Sequence, residues 1–214
     1  MKSWMAGLAG VILLLGSTVP SARADNVLPG SDMFVTPGPP SGPTATHQSL
    51  TLPADFFGPG SDPFAGDVYF VGAPLAGTNT NSADTIVARL GAATLLTCPS
   101  SDTIPIEIIA LSLVSNDPIT VTFNGGQNPQ LWDVGACLGS PPTTQTPGTM
   151  VINHTCPEGG TFSSQLPVTA RLTFTKVGGG GFRELDPAPP MTFTGNGFWS
   201  HSDPGGIFGI ISSP

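Results

Sequence analysis

Apolar and polar residues alternate with a period of two between Pro167 and Val177. The two sets are Val168, Ala170, Leu172 and Phe174 on one side, and Thr169, Arg171, Thr173 and Thr175 on the other. Successive side chains of a strand point to opposite faces of a sheet. The pattern therefore predicts an antiparallel strand with one face in the core and the other face in solvent.

A long apolar run begins at Ile104 and contains one charged residue, Glu107, before a turn at Asn116-Asp117-Pro118. A helix is disfavoured here because β-branched isoleucine is frequent and Pro105 cannot donate a backbone hydrogen bond. We expect a strand that is buried on both faces, or nearly so. After the turn, Ile119–Phe123 alternates with period two and predicts another strand.

The composition agrees with a chain of short strands. Charged residues make up 9% of the chain, against about 25% in ordinary domains. The chain also has 28 glycines and 24 prolines, which favour turns. About nine or ten short strands with frequent turns predict an all-β, antiparallel β-sandwich, either immunoglobulin-like or jelly-roll.

Residues 25–48 differ from the rest of the chain. They include the segment Val35–Pro43, in which proline and glycine prevent regular structure. We expect residues 25–48 to form an extended N-terminal arm and residues 49–214 to form the β-sandwich domain. Two small β domains that meet near residues 135–145 are the alternative that the sequence leaves open.

The N-terminus has the three parts of a secretory signal peptide. Lys2 precedes an apolar run from Met5 to Leu15, and small residues occupy positions 22 and 24. The run is shorter than the roughly 20 residues of a membrane span. We expect cleavage after residue 24, a secreted, extracytoplasmic product and no membrane anchor after cleavage.

Net charge restricts the partners of the mature chain. Cleavage removes two of the six basic residues and none of the fourteen acidic ones, so the formal net charge moves from −8 to −10. Nucleic-acid binding requires clustered lysine and arginine, so no nucleic-acid partner is expected. The negative charge is expected to keep the protein soluble.

The mature part contains three cysteines, Cys98, Cys137 and Cys156, and an exported chain can form disulfides. Three pairings are possible. Cys137 and Cys156 bracket a loop rich in proline and threonine, and closing it contributes about 3 kcal/mol on the chain-entropy model. We predict a Cys137–Cys156 disulfide, with Cys98 as a buried thiol.

Aromatic side chains suggest a ligand site. Exposed tryptophan and tyrosine are typical of carbohydrate- and protein-binding faces. The mature chain has two tryptophans, Trp132 and Trp199, and the second lies near His201. The predicted ligand-binding residues are therefore Trp132, Trp199 and His201, with a glycan or a protein as the partner.

Acidic turns suggest a structural calcium ion. Ser-Asp-Pro occurs at residues 61–63 and again at residues 202–204. Asp62 with Asp67, or Asp203, would supply the oxygen ligands that calcium prefers. The competing interpretation is that each aspartate caps a turn in which proline fixes φ. No other cofactor is predicted.

Catalytic patterns are sparse, so the sequence favours a protein without enzymatic activity. His201-Ser202-Asp203 contains the residue types of a triad, but triad members meet through tertiary structure, and no Gly-x-Ser-x-Gly elbow exists. Glu107 would have a raised pKa if it were buried without a partner. We expect it at a solvated or edge position, or paired with Arg89 or Arg171. A hydrolase using Glu107 or His201 remains an alternative.

Three segments resemble uncharacterised secreted bacterial proteins. They are Phe57–Phe64 (Phe-Gly-Pro-Gly-Ser-Asp-Pro-Phe), Ala83–Val87 and Ile106–Leu113. The resemblance covers about residues 50–135 and implies a secreted, β-rich protein. It brings no established activity with it.

Three hypotheses of function follow. The first is a secreted, non-enzymatic β-sandwich with a structural, cell-surface or protein-interaction role, which an extended free strand edge would favour. The second is a carbohydrate- or ligand-binding module, which accessible aromatic side chains would favour. The third is an extracellular hydrolase, which would need convergent catalytic side chains in a cleft.

Overall fold

The computed structural model describes residues 25–38, 45–76, 82–139, 144–155, 159–200 and 210–211. Within these ranges all of the named secondary-structure elements are β-strands, and every pair of strands is antiparallel. The predicted all-β, antiparallel class is therefore confirmed. The described ranges hold no helix of the length and hydropathy that a membrane span requires. The predicted signal peptide lies outside them.

The strands are, in chain order, β1 (Asp25–Val27), β2 (Gly30–Phe34), β3 (Ala45–Leu52), β4 (Phe64–Gly72), β5 (Thr85–Arg89), β6 (Ala93–Leu95), β7 (Ser100–Ser115), β8 (Ile119–Phe123), β9 (Gln127–Cys137), β10 (Gly148–His154), β11 (Gly159–Val168), β12 (Arg171–Lys176), β13 (Phe182–Leu185), β14 (Met191–Ser200) and β15 (Ile210–Ile211).

Two large sheets meet along β7. The first sheet has the order β2-β5-β7-β10-β11-β14-β15, and the second has the order β3-β4-β7-β9-β12-β13, with β8 beside β9. The first part of β7 pairs with β5 and β10, and its last residues pair with β4 and β9. Buried residues of both sheets form one hydrophobic cluster, as in a β-sandwich.

Strand β7 corrects one expectation. Ile104, Ile106 and Ile108 are 1–2% exposed, but Ile109 is 49% exposed, so the prediction of two buried faces is wrong. Leu111 is again buried, because the pairing with β5 contains a register shift and the strand passes from the first sheet to the second. The apolar run is continuous because even-numbered residues face the core up to Ile108, and odd-numbered residues face it from Leu111 onward.

An aromatic cluster fills the core beside the second sheet. Phe174 is fully buried, and its ring meets the rings of Phe56 and Phe57 edge-on at centroid distances of 5.3 and 5.4 Å. Arg183 holds the loop that carries these phenylalanines by donating hydrogen bonds to the Phe56 and Phe57 carbonyl oxygens. Phe174 lies on β12, where alternation predicted a strand with one buried face, and Leu172 beside it is also fully buried.

The N-terminal arm takes part in the sheets. Within predicted arm residues 25–48, β1 pairs with β6, β2 pairs with β5, and β3 begins at Ala45 and pairs with β4. The segment is extended, but it contains regular strands because its polar backbone groups find partners on neighbouring strands. Strands on either side of residues 135–145 are also hydrogen-bonded to one another, as β7 is to β10 and β9 is to β12.

The cysteines do not follow the predicted pairing. Cys137 is a half-buried free thiol, so the Cys137–Cys156 disulfide is wrong. Cys98, predicted to be a thiol, is disulfide-bonded. Cys156 lies outside the described residues. The spacing argument fails because β9 carries Cys137 into the second sheet, where its residue partners are Ser112 and Arg171.

Candidate functional site

A cavity of about 430 Å³ opens on the inner face of the first sheet, the face that carries the core. Six strands and the segment after β1 contribute its lining, which consists of Asn26, Val27, Leu28, Pro29, Asp32, Phe34, Arg89, Met150, Ile152, Phe162, Phe198 and Trp199. Ligand sites are concave, mostly apolar and about 300–1,000 Å³ in volume, with a few polar groups. The cavity has these properties.

The floor of the cavity is a continuation of the hydrophobic core. Phe34, Met150, Ile152 and Phe162 line it and are at most 7% exposed. Ile152 and Phe162 are direct partners on β10 and β11, so their side chains lie side by side. The Phe34 and Phe162 rings meet at a centroid distance of 6.2 Å in an edge-on arrangement. The floor is therefore rigid and aromatic.

Trp199 forms part of the cavity wall in a fixed position. Its indole N–H donates a hydrogen bond to the Asn153 carbonyl oxygen at 3.0 Å, and its ring packs against His154 at a centroid distance of 5.9 Å. Gly160 lies between the two aromatic residues in the sheet register. A Cβ atom on Gly160 would lie 1.8 Å from the Asn153 oxygen, so only glycine allows this close approach.

One ion pair lies among the apolar lining. Arg89 Nε is 2.9 Å from Asp32 Oδ2, and Arg89 Nη1 donates a hydrogen bond to the Leu28 carbonyl oxygen. In the register of β2 and β5, Arg89 is opposite Gly30 and Asp32 is opposite Val87, so the two charges are diagonal neighbours. Burial raises the pKa of the Asp32 carboxyl above its usual value, although the nearby Arg89 charge opposes the shift.

Two exposed apolar side chains border the cavity. Phe198 is 77% exposed and Leu28 is 65% exposed, which makes them two of the most exposed large hydrophobic side chains of the described chain. Phe198 alternates with Trp199 along β14, so its ring lies on the opposite face of the strand, beside the opening of the cavity. Contiguous exposed apolar surface is typical of binding sites.

The predicted ligand-binding residues have different locations. Trp199 lines the cavity. Trp132 is 2% exposed and packs against Phe57 at a centroid distance of 4.8 Å, which places its indole in the core. His201 lies outside the described residues. Sequence analysis did not identify Asp32 or Phe162 as site residues. The signal available in the sequence was Arg89, a charged residue on the same face of its strand as the apolar Val87.

The candidate calcium ligands are involved in turns and strand pairing. Asp62 accepts hydrogen bonds from the Gly126 N–H, the Thr122 hydroxyl and the Gly125 N–H, and these bonds lower its pKa. Asp67 accepts a hydrogen bond from the Ser49 N–H, and Asp203 is not described. In the described ranges, no three His, Cys, Asp or Glu side chains come together in a group that could hold a metal ion.

Glu107 is half-buried on β7, opposite Ala88. The arginines that it was expected to contact have other acidic neighbours. Arg89 pairs with Asp32, and Arg171 Nη1 lies 3.8 Å from Glu184 Oε2. Glu107 is not part of the cavity lining.

Comparison of the chain with protein-family models, curated proteins and solved structures finds no match. The function must therefore be inferred from the residues of this chain.

Proposed function

We propose that the mature chain is a secreted, non-enzymatic binding protein that takes a small, largely apolar molecule into the cavity beside Trp199. The observation that carries the proposal is the cavity itself. It has a volume of about 430 Å³, an aromatic floor that continues the core, and one ion pair in its wall. This combination of apolar area and few polar groups is typical of small-molecule sites.

The cavity is costly for a protein that only has to fold. Apolar side chains that line an open cavity are less completely removed from water than those in a closed core, so they contribute less to stability. A partly buried ion pair also costs desolvation energy, and apolar residues of the same size are often as stable or more stable. The side chains of Asp32 and Arg89 are only 31% and 18% exposed. A bound ligand would account for both the empty volume and the charges.

The composition of the cavity lining also allows the other hypotheses of function to be compared. A glycan needs several hydrogen-bonding groups and a flat aromatic face, whereas the cavity wall is mostly apolar. A protein partner would use the rim formed by Phe198 and Leu28, and a hydrophobic side chain of such a partner could enter the cavity. A hydrolase would need a nucleophile and a base within hydrogen-bond reach of each other. An apolar ligand uses more of the lining than either a glycan or a hydrolytic substrate.

The test is a titration of the purified mature chain, residues 25–214, with N-phenyl-1-naphthylamine. This neutral probe fluoresces strongly only in apolar surroundings. We expect a saturable, one-site increase in emission. Replacing Ile152 on the cavity floor (Ile152→Trp) should weaken probe binding at least about tenfold, because the larger side chain fills the space that the probe needs.

The matched control makes the same change at an exposed position. Ile109 is 49% exposed on β7, so Ile109→Trp should leave probe binding unchanged. Circular dichroism spectra and melting curves confirm that both variants are folded. Absence of saturable binding to the unmodified chain, or equal binding by folded Ile152→Trp, would refute the proposed function.

A further inference from the structure

The two members of the ion pair in the cavity wall differ in the number of their polar partners. Arg89 has two neighbours, because its Nε lies beside Asp32 and its Nη1 donates to the Leu28 carbonyl oxygen. Its guanidinium also lies close over Gly30, where a Cβ atom would be only 2.9 Å from Nη2. In the part of the chain that the structure describes, Arg89 is the polar partner of Asp32, and its Nε lies 2.9 Å from Asp32 Oδ2.

A carboxylate can accept about four hydrogen bonds. Within the described part of the chain, Asp32 Oδ1 receives none, although the side chain is two-thirds shielded from solvent. Oδ1 is not one of the fully buried atoms that lack a hydrogen-bond partner, so solvent reaches it, and a donor group of a bound molecule can reach it as well. Asp32 therefore offers an unused acceptor to whatever occupies the cavity.

Resting on the proposed binding function, we infer that the ligand is an organic amine, whose apolar body lies on the aromatic floor and whose ammonium group donates to Asp32. A charge-assisted hydrogen bond from an ammonium to a carboxylate is about twice as strong as a neutral one. Three lining residues with inward-facing rings are aromatic, Phe34, Phe162 and Trp199, and aromatic faces attract organic cations. The ligand class follows from these two features.

The charge distribution also favours a cation over an anion. An anionic ligand would need Arg89, whose guanidinium already contacts Asp32 and Leu28, and it would be repelled by the Asp32 carboxylate. The whole chain carries a formal net charge of −8. Excess negative charge raises the local concentration of cations and lowers that of anions. Both effects oppose binding of a carboxylate ligand.

The test compares three ligands with the same naphthalene body: 2-(1-naphthyl)ethylamine, 2-(1-naphthyl)ethanol and 1-naphthaleneacetate. Each is titrated into the mature chain at pH 7 by calorimetry. We expect the amine to bind about tenfold more tightly than the alcohol, since only the ammonium group adds an attraction between opposite charges to its hydrogen bond with Asp32. The carboxylate should bind more weakly than the alcohol.

Two variants assign the preference to Asp32. Asp32→Asn should bring the affinity for the amine to within about twofold of the affinity for the alcohol. Asp133 is exposed on β9, outside the cavity, so Asp133→Asn removes the same charge and should preserve the tenfold preference.

The outcomes separate the two proposals. If none of the three ligands and no neutral probe binds, the binding function itself is wrong. If the alcohol binds as tightly as the amine, or the carboxylate binds best, the amine inference is overturned while the binding function stands. This comparison uses the unmodified chain, so it decides the inference even if Asp32→Asn does not fold. A preference for the amine that survives in folded Asp32→Asn also overturns the role of Asp32.

Discussion

Phe174 provides a direct test of the core. Its side chain is fully buried on β12 and meets Phe56 and Phe57 edge-on. Replacing it by alanine removes the ring and leaves a cavity that the strands cannot close, because the ring is surrounded on all sides. Phe→Ala substitutions in cores cost about 3–5 kcal/mol. We expect Phe174→Ala to lower the free energy of unfolding by about 4 kcal/mol.

The matched control is Phe182→Ala on β13. Phe182 is 55% exposed, so this variant should change the free energy of unfolding by less than about 1 kcal/mol. For a chain of this length, 1 kcal/mol corresponds to about 2–4 °C in Tm. Phe174→Ala should therefore melt about 8–16 °C below the unmodified protein. Urea denaturation followed by circular dichroism gives the free energies, and calorimetry gives Tm.

The same melts examine the number of domains. Strands on both sides of residues 135–145 share sheets, so we expect a single transition that Phe174→Ala shifts as a whole. Two transitions, of which Phe174→Ala shifts only one, would support two small domains. A loss below about 1 kcal/mol, or a loss equal to that of Phe182→Ala, would refute the placement of Phe174 in the core.

Three further predictions concern other parts of the fold. Peptide mapping of the non-reduced mature protein should show Cys98 linked to Cys156 and alkylated Cys137, because Cys137 is a free thiol and Cys98 is disulfide-bonded; a linked Cys137 peptide would contradict this. Burial raises the pKa of the Asp84 carboxyl, so its contribution to stability is fully present below the unfolded pKa of 3.8 and is lost as the pH rises through the folded value. The stability advantage of the unmodified protein over Asp84→Asn in urea denaturation should therefore decrease as the pH rises above 3.8 and then become constant, and an advantage that increases with pH would contradict the sign. Gly160→Ala should destabilise the protein by more than about 2 kcal/mol, because the new Cβ collides with backbone; a melting curve unchanged from that of the parent would show that the β10–β11 register is different.

Local periodicity was sufficient for strands with one buried face. Alternation predicted β12 and β8, and in both strands the apolar set is the buried set, including Leu172, Phe174, Ile119 and Val121. Each of these strands stays in a single sheet, so the same parity faces the core throughout. In these strands the two-residue period alone determines which side chains face the core.

Non-local pairing was beyond the sequence. Strand β7 belongs to two sheets, and its change of inward-facing positions depends on β5, β9 and β10. The strands of the arm depend in the same way on partners that come much later in the chain. The different locations of Trp132 and Trp199 have a similar origin. Trp132 is covered by Phe57, which is distant in sequence, whereas Trp199 lies on a strand that borders an opening.

Two carboxylates, the fully buried Asp84 and the partly exposed Asp32, show how a structural acid differs from the one in the cavity. Burial raises the pKa of both Asp84 and Asp32. Asp84 accepts three hydrogen bonds, from the Thr36 N–H, the Thr36 hydroxyl and the Thr85 hydroxyl, at 2.6 to 3.0 Å. These bonds join β5 to the segment after β2, and they give Asp84 a structural role that needs no ligand.

Asp32 lies on the neighbouring strand, but it has no such set of donors. In the described part of the chain it has one ion-pair partner, which also donates to the Leu28 carbonyl oxygen, and its side chain belongs to the cavity lining. The three donors around Asp84 reach both of its oxygens, whereas no donor of the described residues reaches Asp32 Oδ1. Because solvent reaches this oxygen at the edge of an aromatic cavity, a donor that arrives with the ligand can bind it without displacing a hydrogen bond of the protein.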